Sequence, residues 1–231
     1  MKIWSIEATA AKPKLALGAD PVPAKGESVV RVAAVGLNFA DLLMIEGKYQ
    51  VRPPMPYVPG MEFAGIVESL GPDTAGPAPG TRVLGTCVSG ALAERIAVPA
   101  AGLSPIPDAM SLEEAAGFPI AYGTSHLALT HKARLQPGET LFVTGAAGGV
   151  GLTAVELGKV LGARVIASAR GADRLAIAGA AGADVLIDSD APGLKEALRA
   201  TGGVDVVYDV VGGPAFDEAL RATRPDGRLL T

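Results

Sequence analysis

The stretch Leu141-Phe142-Val143-Thr144-Gly145-Ala146-Ala147-Gly148-Gly149-Val150-Gly151 decides how this chain folds. It opens as a short apolar strand, residues 141–144, and runs into a glycine-rich turn. A helical segment, residues 152–161, follows, and a second apolar strand, residues 164–169, comes next. Strand, glycine turn, helix and strand in that order form the unit that seats a nucleotide pyrophosphate in a parallel sheet. Gly148 carries no side chain, so backbone can approach phosphate oxygens, and Gly151 lets the helix pack closely on the strand. The amides at the helix start, with the helix dipole, then face the anion. The turn departs from G-x-G-x-x-G by placing Ala146 where the first glycine is expected. Alanine serves there provided that its φ is negative.

Downstream the same alternation continues. Strands are expected at residues 185–188, 204–208 and 228–231, with helices between them. Gly162 and Gly182 follow two helix ends as left-handed C′ glycines do, and Asp173 and Pro192 sit near helix starts. The pattern predicts a Rossmann-type, doubly wound parallel sheet over residues 121–231. A complete sheet of this kind has roughly six strands. The last expected strand opens at Arg228 and the sequence stops at Thr231. The expectation is therefore a C-terminally incomplete, five-stranded sheet, or an exposed edge that self-associates.

Upstream, residues 1–120 read differently. Short β-rich runs at 28–35, 63–70, 81–84 and 93–98 alternate with dense Gly and Pro. This predicts a compact barrel-like β domain. A helical turn is expected at residues 39–46. Ser111, with Glu113 and Glu114 behind it, reads as a capped helix start. His126 and His131 lie five apart in a helical-looking stretch, a spacing that puts them on different faces of an α-helix.

Composition narrows the function. Of 231 residues, 49% are hydrophobic, enough for a substantial core, and the net charge is −4. No long basic cluster points to nucleic acid. Cys87 is the only cysteine, so no intrachain disulfide forms, and it reads as a small buried hydrophobe. One cysteine and two histidines leave too few ligands for a structural zinc site. Glu7 interrupts the N-terminus where a signal peptide would be apolar, and no run reaches membrane-spanning length, so the expected location is the cytoplasm with no membrane partner.

The second strand of the nucleotide unit ends in Ser168-Ala169-Arg170. An acid at that end would bind the ribose 2′-hydroxyl of NAD. None is present, and Arg170 and Arg174 suit a 2′-phosphate, which favours NADP. Ordinary surface charge is the plain alternative for both arginines.

These residues together resemble the medium-chain dehydrogenase/reductase superfamily, and within it the zinc-free NADPH:quinone oxidoreductases of the zeta-crystallin-like group. Residues 36–43, GLNFADLL, are close to the family's GxNFxD segment. Gly47-Lys48-Tyr49 and residues 56–67, PYVPGMEFAGIV, resemble its GxY…PxxPGxExAGxV run. Residues 146–151 match its AAGGVG loop, and residues 204–213, VDVVYDVVGG, its strand-end D-x-V-G-G. The resemblance implies a GroES-like, alcohol dehydrogenase-like domain ahead of the nucleotide-binding one. In zinc-dependent relatives the positions of Asn38 and Met61 hold cysteine and histidine, so a Lewis-acid zinc mechanism is not supported and no metal is expected. Some zinc-free relatives place a tyrosine against the 2′-phosphate near position 189, where this chain has Ser189. Family chains continue past this point and form homodimers through an edge strand not present in this sequence.

The family implies a hydride passing from NADPH to a small electron-poor acceptor, a quinone or an α,β-unsaturated carbonyl. It implies Asn38 as a donor to the acceptor oxygen or to the nicotinamide carboxamide, and Tyr49 as a lid residue or proton donor. Asp41 and Thr124 fall at positions touching the nicotinamide end. The expected cofactor-binding set further comprises Ala147, Gly148, Gly149, Val150 and Gly151 at the pyrophosphate, Ser168, Arg170 and Arg174 at the adenosine 2′-phosphate end, and Val211 and Gly212 of the strand-end motif. Each has a plain alternative: a cap for Asn38 and Thr124, a solvated first-turn acid for Asp41, a half-buried loop aromatic for Tyr49. Two further readings stay open. One is an acyl-CoA or alkenal double-bond reductase on the same scaffold. The other is a nucleotide-binding chain without turnover.

Overall fold

A computed structural model describes residues 1–231, which divide into two units, Met1–Ile120 and Ala121–Thr231.

In the first unit, β1 (Lys2–Ser5) and β2 (Lys14–Leu17) form an antiparallel pair. The long strand β3 (Glu27–Gly36) follows, then helix α1 (Phe39–Ile45) and β4 (Glu62–Leu70). β5 (Arg82–Thr86), β6 (Arg95–Pro99) and the short β7 (Ser104–Pro105) complete an antiparallel sheet of order β6-β3-β4-β5-β7. Every second residue turns inward, so Val30, Phe63, Val67, Val83, Ile96 and Val98 meet in one core. Helix α2 (Leu112–Ala116) lays Ala115 and Ala116 on Ala64 and Ile106. Its start is the expected capping box: Ser111 Oγ accepts from Glu114 N at 3.1 Å, and the Glu114 carboxylate accepts from Ser111 N at 2.8 Å. The four runs read from the sequence fall on β3 to β6. β1, β2 and β7 were not anticipated, being very short and partly exposed, so that burial stamps no alternation on them.

The second unit begins on α3 (Pro119–His126), which opens in the first unit, and passes into a π-helical turn, Leu127–Lys132. Then come β8 (Thr140–Val143), α4 (Gly149–Val160), β9 (Arg164–Ala169), α5 (Gly171–Ala180), β10 (Val185–Asp188), α6 (Leu194–Ala200), β11 (Val204–Tyr208), α7 (Pro214–Ala222) and β12 (Thr223–Leu230). All five strands are parallel, in the order β10-β9-β8-β11-β12. Leu141, Val143, Val165, Ala167, Val206 and Tyr208 face one layer of core with Ala154 and Val155 of α4. Phe142, Ile166 and Val207 face the other, with Leu198 of α6 and Ala219 of α7. Both faces are buried, which is why these strands read as unbroken apolar runs.

Three details differ from the sequence reading. Helix α4 starts at Gly149, earlier than expected, so the end of the glycine turn is already helical. Asp173 is an acid in the first turn of α5, not its cap, which is Arg170. His126 and His131 do not diverge: their ring centroids lie 6.2 Å apart, edge to face. The π-helical turn between them adds a residue per turn, which brings positions five apart into line. Gly162 and Gly182 do take left-handed conformations, φ +82 and +104, just past α4 and α5. No helix is long and apolar enough to cross a membrane.

Candidate nucleotide and acceptor sites

The glycine turn leaves β8 at its C-terminal end. Gly145, at φ +57, takes the left-handed conformation the turn requires. Ala146 needs no such conformation. It is fully buried, and its N–H donates to Ser168 O at 3.0 Å, tying the turn to the end of β9. Gly148 caps α4 with no side-chain hydrogen bond, so the first amides of the helix are left to the solvent side, where Gly148 and Gly149 are exposed. A Cβ on Gly149 would meet nothing within 4 Å. A Cβ on Gly151 would collide with the carbonyl of Gly145 and lie 3.0 Å from Ala146 Cα. Close approach of α4 to the sheet falls instead to Gly158, whose Cβ would stand 2.7 Å from Leu141 Cδ2 and 2.9 Å from Val165 Cγ2.

The strand order reverses between β8 and β11, and an open parallel sheet binds ligands at that crevice, beyond the carboxyl ends of its strands. Here the two loops lie side by side: a Cβ on Gly145 would come 2.9 Å from Val211 Cγ2 and 3.1 Å from Val210 Cγ2. They are joined by Thr144 and Asp209, both buried. Thr144 Oγ1 donates to Asp209 Oδ1 at 2.5 Å and accepts from Val210 N at 3.0 Å. The same Oδ1 accepts from Val211 N and Gly212 N, each at 3.0 Å. Asp209 Oδ2 is buried with no partner. Val211 is thereby held two-thirds exposed at the mouth of the crevice, and Gly212 turns at φ +77.

At the end of β9, Ser168 is buried and Arg170 projects outward. Arg170 Nε pairs with Asp190 Oδ1 at 3.2 Å, an exposed pair that a doubly charged phosphate would outcompete. Arg174 is exposed one helical turn into α5 and forms no ion pair. Thr124 is exposed inside α3 and is not its cap.

In the first unit, Asn38 caps α1, and its backbone N–H donates to Asp41 Oδ2 at 2.9 Å. Asp41 is no solvated acid: it is 3% exposed, and its Oδ1 accepts from Gly60 N at 3.1 Å. The Asn38 side chain is half-buried and donates through Nδ2 to Glu62 Oε1 at 2.8 Å. Glu62, 2% exposed, went unnoticed as a site residue in the sequence. The acid of a PG-M-E-F run, flanked by buried strand residues, is the signal that would have found it. Tyr49 is half-buried on the loop after α1, where its N–H donates to Leu43 O at 3.2 Å and its hydroxyl bonds to no protein group. Tyr57 is buried with an unpartnered hydroxyl, and burial and the Asp41 charge raise its pKa. Cys87, half-buried beside Gly60, has its thiol pushed up to about 11 by burial, so it stays protonated and is no nucleophile at neutral pH.

Two family models match the chain: an alcohol dehydrogenase GroES-like domain over residues 24–108 and a zinc-binding dehydrogenase domain over residues 149–231. No group of three or more His, Cys, Asp or Glu side chains is placed to hold a metal ion. Among curated proteins, quinone oxidoreductase-like protein 2 of Bos taurus is 41% identical over 215 residues, covering 91% of this chain and 62% of the relative. Its Mus musculus counterpart is 40% identical, covering 87% of this chain and 59% of the relative. The chain thus spans about three-fifths of the length of these relatives. Among solved structures, the quinone oxidoreductase of Thermus thermophilus, also determined in complex with NADPH, superposes with a TM-score of 0.89 at 38% identity. It covers 99% of this chain and 72% of that one. The quinone oxidoreductase of Pseudomonas syringae pv. Tomato gives 0.91 at 31% identity, over 99% and 72%. A GroES-like antiparallel unit, a parallel nucleotide-type sheet and relatives of this closeness place the chain in the medium-chain dehydrogenase/reductase superfamily, in its quinone oxidoreductase group.

Proposed function

We propose that this chain binds NADPH on its second unit and serves hydride transfer to a quinone or α,β-unsaturated carbonyl. One observation carries the reading. At the point where the sheet order reverses, a helix start without a side-chain cap follows a glycine turn whose outer face is bare. Backbone N–H groups fixed in such a place bind a pyrophosphate at little reorganisation cost. The relatives named quinone oxidoreductases, one of them solved with NADPH, support the same reading.

When bound, NADPH supplies a hydride. The chain's own residues position and shield. Residues 147–151 hold the pyrophosphate, Arg170 and Arg174 the 2′-phosphate, and Val211 and Gly212, braced by Asp209, bound the nicotinamide end, toward which Thr124 also contributes. Arg170 exchanges its surface pair with Asp190 for the phosphate. On the first unit, Asn38 donates a hydrogen bond to the acceptor oxygen, and Tyr49, its hydroxyl unengaged, shields the acceptor or delivers the proton that follows the hydride. Asp41 acts indirectly, since both its oxygens already hold backbone N–H groups that shape the Asn38 turn. A reduced quinone is a weak base, so little acid catalysis is required.

Titrating the chain with NADPH while following nicotinamide fluorescence, then adding a simple quinone and following loss of the reduced-cofactor absorbance, tests the proposal. Saturable binding, tighter for NADPH than NADH, with quinone-dependent oxidation is expected. Absence of binding to either nucleotide would overturn it. Relative rates with quinone and enone acceptors then fix the acceptor class.

A further inference from the structure

Glu62 stands at the first position of β4, 2% exposed, and both its oxygens are in use. Oε1 accepts from Asn38 Nδ2 at 2.8 Å and Oε2 from Ile120 N, in the first turn of α3, also at 2.8 Å. Space around it is tight: a Cβ on Gly36 would overlap Oε1 and come 2.6 Å from Ala116 O, so the carboxylate has one placement. A carboxylate only accepts hydrogen bonds, whereas an asparagine amide presents a donor on one side and an acceptor on the other. The amide next to Glu62 therefore has only one favourable orientation of its two, with nitrogen toward the acid.

Resting on the proposed hydride transfer, we propose that Glu62 is a positioning residue: it fixes the Asn38 amide so that the remaining Nδ2 proton is the donor offered to the acceptor oxygen. Its connection to Ile120 anchors the carboxylate from the opposite side, so the acid cannot swing away from the amide without breaking two hydrogen bonds. Burying an acid here is costly unless both oxygens are satisfied, and both are.

Glu62→Gln is the decisive change. Glutamine has one acceptor oxygen for two donors. With that oxygen kept on Ile120, its Nε2 faces Asn38, and the Asn38 amide reverses to accept. Two readouts follow. In nuclear magnetic resonance of the ¹⁵N-labelled chain, the Asn38 side-chain amide of the wild type should show one proton shifted downfield and protected from exchange. E62Q should abolish both features. In kinetics, E62Q should leave NADPH affinity within about twofold while kcat falls on the order of tenfold, less than a full oxyanion donor is worth because a reduced quinone needs little stabilisation. The double variant Asn38→Asp with Glu62→Gln keeps the donor–acceptor pair that E62Q already makes between the two positions but has no amide proton to offer. It should match E62Q in thermal stability and recover no kcat. Recovery of kcat would show Glu62 to be structural only, and overturn the proposal. An Asn38 amide signal that is ordinary in the wild type and unmoved in E62Q would overturn it whatever the kinetics. If the wild type shows the expected amide signal but neither binds NADPH nor turns over, the proposed function fails while the link between Glu62 and Asn38 stands.

Discussion

The two units hold their candidate site residues by different means. In the second, backbone shapes the glycine turn, while the Asp209 carboxylate holds only Val211 and Gly212: Gly145 turns at φ +57, Gly148 leaves α4 without a side-chain cap, and Gly151 lies against the Gly145 carbonyl. In the first, buried carboxylates do it: Asp41 joins Asn38 to Gly60, and Glu62 joins Asn38 to Ile120. The two devices fail differently. A backbone cradle fails by sterics, because an added Cβ enters space already held by peptide atoms. A carboxylate clamp fails by hydrogen-bond chemistry, because an isosteric amide fits the space but replaces one of the two acceptors with a donor.

The steric device should break hardest. In Gly151→Ala the new Cβ meets Gly145 O and stands 2.8 Å from Gly145 C, backbone that cannot swing aside as a side chain would. Urea unfolding should show a loss of about 3 kcal/mol, at the severe end for overpacking, with NADPH binding abolished. An unchanged midpoint would show that the turn yields easily, and the contrast between the units would collapse. Next comes Asp41→Asn. One of two buried backbone donors, Asn38 N or Gly60 N, loses its acceptor, at a cost of about 2 kcal/mol. Asp209→Asn makes the same atomic change and should cost under about 1 kcal/mol, because Oδ1 alone takes all three hydrogen bonds and Oδ2 has none to lose. Equal effects at 41 and 209 would mean that burial, not bonding pattern, sets the cost.

The same contrast decides what could be read from the sequence. The glycine turn is contiguous, so its spacing alone announces it. β9, β10 and β11 coincide with the runs expected at 164–169, 185–188 and 204–208, because a sheet buried on both faces leaves continuous apolar segments between glycines. The carboxylate clamps have no such trace. Glu62 finds its partners 24 and 58 residues away, and only its place in the PGMEF run at the head of an apolar strand sets it apart from a solvated acid. The solvated-acid alternative for Asp41 fails for the same reason: its buried carboxylate is met by Gly60, 19 residues on. The histidine pair failed on a different ground, since helical period was assumed where a π-helical turn changes it.

Gly149→Ala gives the smallest stability effect and the sharpest reading of the cradle. The position is the first residue of α4, and an added Cβ there touches nothing within 4 Å. Alanine loses less backbone entropy than glycine on entering a helix, so stability should hold or rise by under about 1 kcal/mol. Yet the methyl would occupy the open face where phosphate oxygens approach the helix amides, and NADPH affinity should fall several-fold while the urea midpoint does not. A turn that serves only to reverse the chain predicts no change in either quantity. The separation of binding from stability at residue 149, set against their joint loss at residue 151, distinguishes a glycine kept for a ligand from a glycine kept for the fold.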